Sequence, residues 1–558
     1  MNKYIFALTF FVLITVSESY SKISENRLYE PVVVKGSDIF PYTLEDFYQI
    51  SSLYLFSYHQ NSDTWEVIPF QIDEADTSLQ DEDIYFKSER DSLLRGYFDL
   101  DDELVFMAAN SGDKADSSNW ASMVDSTERY EIELTDPLNQ EKSYTYLYHS
   151  PYISFSIPDP YEMSFNKNTD RIVTANYEVG FDISSTDKNG QLNEIIIKNG
   201  MNVDIFDRLK IRLQGFGLLF FINLNENNVK IAEPSYAKIG RIRIIRNMPG
   251  EFNLQPFPSS KFTQTLFFYP WSGAFKIVDI PVGDIIDIGP QIWLFRVSWD
   301  LSAEASGMVL YNQYNPSGVN IDGVMDTFND TCRPGELNWT VATGSQGTIF
   351  NIFEIPPLGK IRKLYFYDNS EGGYNDNPNY PELSDTGDLV SYGDSGFYLD
   401  DELEKDINRE TKLNAVYYNY FLPANLLYEQ ASLLANQVKN PIEIVTESQA
   451  YKPIKTRLKS RISSVPKNHI LYQNYPNPFN PETTIKFNMN KSEYVKMDII
   501  DSAGRTIKNL VNSMLNSGSY TYKWDGKNNY NNSVSSGLYF CKLSTKSENS
   551  YIKLIFIK

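Results

Sequence analysis

Four acidic side chains cluster in one short stretch of the chain: Asp99, Asp101, Asp102 and Glu103. Carboxylate oxygens at such close spacing are the hard ligands that Ca²⁺ prefers, so the cluster is a candidate calcium site. It lacks the glycine and the distal glutamate of an EF-hand loop, and the alternative is a charged turn before a buried strand. Asp73, Glu74 and Asp76 would complete a shared site if the two strands pair.

Three arginines follow one another between Gly240 and Arg246: Arg241, Arg243 and Arg246. They alternate with isoleucine, which predicts a strand with arginine on one face. Guanidinium pairs bidentately with planar oxyanions, so this face is a candidate binding site for a uronate or a phosphate. The alternative is that these arginines pair with aspartate and glutamate on neighbouring strands.

Two short motifs between Asp385 and Gly396 invite comparison with protease loops. Gly393-Asp394-Ser395-Gly396 would need a histidine as general base, and the body offers only His59 and His149, neither in a matching context. The repeated Asp-Thr/Ser-Gly motif occurs within one short stretch, whereas the two loops of an aspartic protease come from separate halves of the molecule. The stretch is therefore predicted to be a surface loop rich in glycine and aspartate. No zinc spacing, phosphate loop or dinucleotide fingerprint is present.

The composition restricts the class of protein. The 558 residues include 50 Lys+Arg and 72 Asp+Glu, a net charge of −22, which argues against a nucleic-acid-binding surface. Aromatic residues make up 14% of the chain, and such residues favour strands. Alternating segments and turns predict an all-β fold whose body is a large β-sandwich of the supersandwich type. Ala424 to Val438 is the one segment that reads clearly as a helix.

From about His469 onward, six or seven short alternating segments are separated by turns, which predicts a small β-sandwich. Prolines punctuate its start, so that part cannot form an interior strand. Trp524 is predicted to anchor the small core. Asn477 and Asn480 are predicted to hydrogen-bond their own backbone and hold the opening loop.

These runs, namely NYPNPFNPETTIKF, IIDSAGRTIKNLV, GSYTYKWDGKN, SSGLYFCKL and the closing KLIFIK, resemble the type A C-terminal sorting domain of the type IX (Por) secretion system. The resemblance covers about 469–558. It implies an immunoglobulin-like fold, recognition by the outer-membrane translocon and removal by a sortase-like peptidase, followed by anchoring or release. The residues that carry it are Pro476, Asn477, Pro478, Phe479, Asn480, Pro481, Gly504, Arg505, Trp524, Asp525, Gly526, Gly537, Lys553 and Lys558.

The first residues predict a Sec signal peptide, 1–21. Lys3 supplies a positive charge, and the apolar run from Tyr4 to Val16 is too short to span a bilayer. No later run is long enough for a transmembrane helix. The signal peptide and the resemblance to the sorting domain together imply that the mature protein is secreted or displayed at the outer-membrane surface. Six basic residues between Lys452 and Lys467, with no acidic residue among them, predict an exposed tether. The expected division is 1–21 signal, 22–165 first β domain, 166–445 second β-rich domain (separate or joined to the first), 446–468 linker and 469–558 sorting domain.

Two functions for the body stay open. Its runs IPFQIDE and FDLDDELVFMA resemble a pattern in uncharacterised secreted β proteins, and are loosely similar to the start of β-supersandwich proteins that act on carbohydrates. An enzyme needs convergent titratable groups, and no pairing of that kind is recognisable. The sequence therefore favours a binding or structural module for a glycan or another extracellular polymer. The alternative is a polysaccharide lyase or a glycoside hydrolase.

Overall fold

The protein was analysed as a computed structural model. It describes the following residues: Ile23, 27–40, 48–75, Tyr85, 96–124, Ser126, 128–181, 191–216, 221–231, 236–252, 260–280, 291–332, 337–354, 361–371, 390–400, 413–450, 469–472, Asn474, Pro476, Asn477, 479–489, 491–501, 505–546 and 549–557. The predicted signal peptide, 1–21, lies outside the described residues. The chain separates into two compact units, 1–454 and 455–558.

The first unit is built from antiparallel strands. In chain order they are β1 Pro31–Lys35, β2 Tyr48–Gln49, β3 Leu53–His59, β4 Thr64–Val67, β5 Gln71–Asp73, β6 Tyr97–Phe98, β7 Glu103–Met107, β8 Glu128–Thr135, β9 Lys142–His149, β10 Ser164–Asn166, β11 Arg171–Val173, β12 Tyr177–Phe181, β13 Leu192–Ile197, β14 Phe206–Phe216, β15 Phe221–Asn225, β16 Val229–Ile231, β17 Tyr236–Ile239, β18 Ile244–Phe252, β19 Ser260–Phe268, β20 Ser272–Ile280, β21 Gln291–Leu301, β22 Val309–Asn312, β23 Asn315–Asn320, β24 Leu337–Gly344, β25 Gly347–Glu354, β26 Ile361–Asn369, β27 Ser391–Asp400, β28 Leu413–Leu422 and β29 Glu443–Ala450. The α-helices are α1 Gly36–Ile39 and α2 Tyr428–Lys439, and short 3₁₀ turns cover Ile50–Ser52, Ala108–Asn110, Glu226–Asn228 and Ala303–Ala305.

These strands form several sheets. The orders are β29-β8-β9-β3-β4, β1-β7-β5, β2-β6, β10-β11-β12-β13, β15-β14-β21-β27-β26 and β16-β18-β19-β20-β28-β25-β24-β22-β23, with β17 paired to β18. The sequence alternates over 129–134 and 143–148 and predicts a hairpin around Asp136, and these segments form the antiparallel pair β8–β9. The all-β prediction for the body is confirmed.

The main core lies against the sheet that contains β14, β21 and β27. Leu213, Val297, Trp299 and Phe397 belong to one cluster of buried apolar side chains. Successive side chains of a strand point to opposite faces, so the intervening residues lie on the other face of this sheet. Those residues are polar or charged and are nevertheless buried, as Lys210 and Asp300 illustrate.

The predicted helix is present, and it begins at Tyr428 rather than at Ala424. Ala431, Leu434 and Ala435 are buried, and they pack with apolar side chains of β24 and β25. Leu427 and Leu433 are 61% and 53% exposed. Ala431, Leu434 and Ala435 therefore define the packed side of the helix.

Two sequence predictions about loops are wrong. Residues 391–396, expected in a surface loop, belong to the buried strand β27, while 385–389 lie outside the described residues. The linker was expected to begin at 446. The structure instead places 443–450 in β29, which pairs with β8 over its whole length. The basic stretch 451–468 lies outside the described residues.

The expected boundary at 165/166 does not divide the first unit, because β29 returns the chain to the sheet of β8.

The second unit contains β30 His469–Leu471, β31 Thr483–Met489, β32 Glu493–Asp501, β33 Thr506–Leu515, β34 Gly518–Trp524, β35 Gly537–Ser544 and β36 Asn549–Phe556. Two sheets, β30-β31-β34 and β33-β32-β35-β36, enclose a separate apolar core. Trp524 is fully buried in that core, as predicted. The expected immunoglobulin-like β-sandwich is confirmed.

Candidate functional site

A groove of about 530 Å³ opens in the first unit beside Arg241. Its apolar lining includes Phe70, Ile72 and Ile157, and its polar lining includes Asp159 and Arg241. Both charged residues are exposed. Among the described residues, no acidic side chain forms an ion pair with Arg241. The groove therefore combines aliphatic walls with a guanidinium that is available to a ligand.

Arg241 stands in a tight turn rather than in a strand. Residues 240–243 connect β17 to β18, and the Gly240 N–H donates to the Arg243 carbonyl oxygen at 3.0 Å. The strand predicted over these three arginines is therefore wrong at its N-terminal end, because β18 begins only at Ile244. Arg243 and Arg246 consequently contact different parts of the molecule, and the three arginines form no common face.

The side chain of Gln71 fixes this turn. Its Oε1 accepts the N–H groups of Ile242 and Arg243 at 2.7 Å each, and its Nε2 donates to the Arg243 carbonyl oxygen at 3.2 Å. A Cβ atom at Gly240 would lie 2.2 Å from Gln71 Oε1, so glycine is needed where the two segments touch. A buried amide thus holds the backbone that presents Arg241, and sequence reasoning missed it. The sequence feature that could have indicated this role is the position of Gln71 between two apolar residues in the run IPFQIDE.

Arg243 is buried and neutralises two carboxylates. Its Nη2 lies 2.7 Å from Asp73 Oδ2 and 2.6 Å from Glu103 Oε2. The strands β5 and β7 pair, as the sequence argument required for a shared site, and Asp73 stands directly opposite Glu103. The guanidinium lies between the two carboxylates and supplies the positive charge there. The Tyr85 hydroxyl donates to Glu103 at 2.9 Å and completes the group.

Arg246 also pairs with side chains of the protein itself. It forms a buried ion pair with Asp170, and its guanidinium lies 3.9 Å from the ring centre of Phe181. Pairing with protein carboxylates, which the sequence left open as the alternative, is thus what the structure shows for Arg243 and Arg246. Arg241 is the member of the three that faces a groove.

The acidic cluster does not fit a calcium site. Asp102 is fully buried, and its two oxygens accept the backbone N–H groups of Ala75 and Asp99, each at 2.9 Å. Asp99 accepts the N–H of Asp101 at 3.0 Å, and Glu103 pairs with Arg243. Within the described part of the chain, no three acidic, histidine or cysteine side chains are placed to share a metal ion. The cluster is the charged turn that the sequence allowed as the alternative. Asp102 stabilises this turn through its two hydrogen bonds to the backbone.

Burial changes the acidity of Asp102. Removal from water, opposed by the two N–H groups, raises the pKa of Asp102 to about 8. The carboxyl group is therefore neutral over much of the physiological range.

In the second unit, Asn477 reaches across the sandwich rather than to its own backbone, which corrects the sequence prediction for this residue. Its Nδ2 donates to the Lys553 carbonyl oxygen at 3.1 Å, and its Oδ1 accepts the Ile555 N–H at 2.7 Å. Phe479 is buried and its ring centre lies 5.0 Å from that of Phe556. The opening segment is therefore attached to the final strand β36.

The remaining signature residues lie in several environments. Arg505 is exposed and its Nε lies 2.7 Å from Asp501, whereas Gly526 is buried with a φ of 64° that suits glycine. Exposed positions are Pro476, Asn480, Pro481 and Gly537, half-buried ones are Asp525 and Lys553, and Pro478, Gly504 and Lys558 lie outside the described residues.

Comparisons with known proteins complete the description. A family model described as the FlgD Ig-like domain matches residues 477–549. No curated protein matches the chain. Within the described part of the chain, no helix has the length and apolar character needed to cross a membrane.

Similar solved structures include three proteins. An α-mannosidase from Enterococcus faecalis has 9% identity and a TM-score of 0.33, with 89% of this chain and 54% of that chain covered. Dimeric latent PorU from Porphyromonas gingivalis has 9% identity, a TM-score of 0.15 and coverage of 82% and 42%. PorZ, a surface component of the type IX secretion system of the same organism, has 10% identity, a TM-score of 0.13 and coverage of 77% and 73%. The chain spans about half the length of the α-mannosidase, and no activity is transferred from these proteins.

Proposed function

We propose that the body binds an acidic extracellular glycan in the groove beside Arg241, and that the chain is exported by type IX secretion to be displayed or released. The observation that supports the binding role is the exposed Arg241 guanidinium on a turn that Gln71 holds in place. Because the backbone of the turn is already held, ligand binding has to order only the side chain of Arg241. In a chain of net charge −22, such a local cation selects for an anionic group.

The chemistry of the lining suits a uronate. The guanidinium of Arg241 can pair bidentately with the sugar carboxylate, while the exposed Asp159 carboxylate can accept hydrogen bonds from hydroxyl groups. The C–H faces of a sugar ring can pack on aliphatic residues such as Ile72 and Ile157. The shared ligand chemistry is a planar or tetrahedral oxyanion on a polyol.

Binding is better supported than hydrolysis. Glycoside hydrolysis uses two carboxyl groups on either side of the scissile bond. Among the residues that line this groove, Asp159 is the single carboxylate. The alternative of a carbohydrate-active enzyme therefore has no observation in its favour at this groove.

Binding of purified protein to an array of uronate-containing, phosphorylated and neutral glycans tests the proposal. We expect retention on acidic glycans that weakens as salt rises. Arg241→Gln should reduce affinity about ten- to a hundred-fold, and Arg241→Lys should restore part of it, because lysine keeps the charge and loses the bidentate geometry. Arg505→Gln, which alters an exposed arginine of the second unit, is the matched control. Equal binding by the wild type and Arg241→Gln would refute the assignment.

The export role is supported by the ordered set of sequence motifs in 469–558 and by the compactness of the second unit. That unit has its own core around Trp524 and its own two sheets. A separately folded terminal module suits recognition as a whole by a translocon. The translocon would then recognise the surface of the folded module rather than a reactive group on it.

Deletion of 469–558 in a bacterium that has type IX secretion tests the export role. We expect the shortened protein to fold and to accumulate in the periplasm. Arg241→Gln in the full chain should reach the surface normally, which separates a binding defect from an export defect. Normal surface display of the shortened protein would contradict the proposal.

A further inference from the structure

Three charged residues meet in the interior of the first unit, on a sheet that contributes no residue to the groove described above. Lys210 belongs to β14, Asp300 to β21 and Asp394 to β27, and these three strands are neighbours in one sheet. All three residues are 0% exposed. Asp394 is part of the motif Asp394-Ser395-Gly396 that the sequence analysis could not assign to any protease.

The pairing register places these side chains on one face. Lys210 stands opposite Ser298, so Asp300, two positions further along β21, points to the same side of the sheet. Trp299, which lies between Ser298 and Asp300 in β21, points to the apolar core on the other side of the sheet. Lys210 and Asp300 are therefore diagonal neighbours on the polar face.

A β-bulge brings Asp394 to the same place. Trp299 pairs with Ser395 and Leu301 pairs with Tyr392, so Asp300 alone stands against two residues of β27, Gly393 and Asp394. Gly393 has a φ of 62°, and a Cβ atom there would lie 2.7 Å from Ile321. A bulge re-aims the side chain that follows it, and here that side chain is the Asp394 carboxyl group.

The contact between lysine and aspartate is close. Lys210 Nζ lies 2.8 Å from Asp300 Oδ2. Both side chains are fully buried, so no solvent layer separates the amine from the carboxyl group.

The surroundings favour the uncharged form of Asp300. Removal from water, together with the negative charges of Asp394 and Asp207, raises the pKa of Asp300 well above its ordinary value, although Lys210 opposes the shift. A neutral carboxyl group and a neutral amine are the forms that can condense to an amide. Water is excluded from the contact, so the reverse hydrolysis lacks its reactant.

We propose that Lys210 and Asp300 are joined by an intramolecular isopeptide bond. The lysine ammonium first gives a proton to the Asp300 carboxylate. The Nζ lone pair then attacks Cγ, the new C–N bond replaces the C–O bond of the hydroxyl group, and that hydroxyl leaves with one nitrogen-bound proton as water. No oxidant or reductant takes part. Asp394 acts through Asp300 as a positioning residue, because its charge favours the protonated acid.

The bond would tie two adjacent strands whose residues lie far apart in the chain. It requires neither export nor glycan binding, so its test is independent of the proposed function. The mass of the intact, denatured full chain is the first measurement. We expect the wild type to be lighter by one water molecule than its amino-acid sequence, after any N-terminal processing has been read from the peptide map.

Peptide mapping locates the change. Trypsin should fail to cut after Lys210, and Leu209–Arg212 should be recovered joined to the peptide that begins at Val297. A water loss confined to a single peptide would indicate a succinimide and would overturn the proposal. A wild-type chain of full mass would overturn it as well.

Variants separate the bond from a plain ion pair. Lys210→Arg and Asp300→Ala should each restore the full mass and migrate more slowly on a denaturing gel, since an internal cross-link keeps the unfolded chain compact. Persistence of the water loss in Lys210→Arg would refute the assignment. Asp394→Asn should slow bond formation at least ten-fold and change its pH dependence, and Asp394→Glu should restore the rate. A wild-type rate and pH profile in Asp394→Asn would remove the role of Asp394 while leaving the bond itself.

Discussion

Arg243 holds together two carboxylates that the sheet places opposite each other. Like charges on directly opposed residues of paired strands repel, and Asp73 and Glu103 are such a pair. The guanidinium lies within 2.7 Å of both and is itself buried. Its removal would leave the buried Asp73 with only Lys238, whose Nζ lies 3.8 Å from Asp73 Oδ1. Among the described residues, it would leave the half-buried Glu103 without a basic partner.

We expect Arg243→Gln to lower the free energy of unfolding by about 3–5 kcal/mol, because an uncompensated buried charge is costly. Chemical denaturation monitored by tryptophan fluorescence would measure the change. Arg241→Gln, two positions earlier on the exposed part of the same turn, should change stability by less than about 0.5 kcal/mol. Similar losses in the two variants would contradict the role given to Arg243.

The buried carboxyl group of Asp102 predicts a pH dependence. Its pKa is about 8 in the folded protein and lies near the ordinary value of 3.8 when the chain is unfolded. The folded state therefore holds a proton that the unfolded state has released, and this contribution to stability is full below about pH 4 and is lost as pH rises through about 8. Thermal unfolding between pH 5 and pH 9 should show a falling midpoint.

Asp102→Asn should flatten that slope. The amide accepts only one of the two backbone N–H groups, so this variant should also lose about 1–3 kcal/mol at pH 5. Asp101→Asn, at the exposed neighbouring position, is the control and should keep the wild-type slope. An unchanged slope in Asp102→Asn would show that other groups cause the pH dependence.

At the scale of single elements, the helix α2 shows how packing selects a face. Leu433 and Leu434 are adjacent, yet Leu433 is 53% exposed and Leu434 only 8%. The buried leucine contacts the cluster that contains Trp339 and Phe350 on β24 and β25. The two positions therefore form a natural matched pair.

We expect Leu434→Ala to destabilise the first unit by about 2–4 kcal/mol through lost burial and the cavity left behind. Leu433→Ala should cost less than about 0.5 kcal/mol, because its side chain is already in water. Thermal or chemical unfolding of the two variants under the same conditions measures the difference. Equal effects would mean that the helix packs through another face.

At the scale of the whole molecule, the first unit is closed by a strand from its far end. β29, residues 443–450, pairs along all of β8, residues 128–135. Arg129, fully buried, donates from Nε to Gln449 Oε1 at 2.8 Å. The chain thus returns to its early part before the second unit begins.

A chain that ends at residue 442 should therefore be much less stable than one that ends at residue 454. Both lack the second unit, but only the shorter one exposes the edge of β8, and an unpaired edge strand promotes aggregation. Melting temperature and the soluble fraction after expression would report the difference. If the two chains melted together, β29 would be dispensable and the linker could start at 446 as the sequence suggested.

The sequence by itself determined the class of fold and the local elements. Alternation of apolar and polar residues is a property of neighbouring positions, so it predicted strands such as β8 and β9, the hairpin between them and the helix α2. It also located the buried Trp524 and the second unit. These features depend on contacts within a few residues or on a well-separated module.

Only the tertiary structure decided which charged residues meet. Asp73 and Arg243 are 170 positions apart, and no local pattern shows that they share one ion pair. The same holds for Asp394, which looked like part of a glycine-rich loop until strand pairing placed it inside a sheet beside Asp300. Desolvation and partner charges act through space, so the fate of a titratable side chain is fixed by the packing of distant strands rather than by its neighbours in the chain.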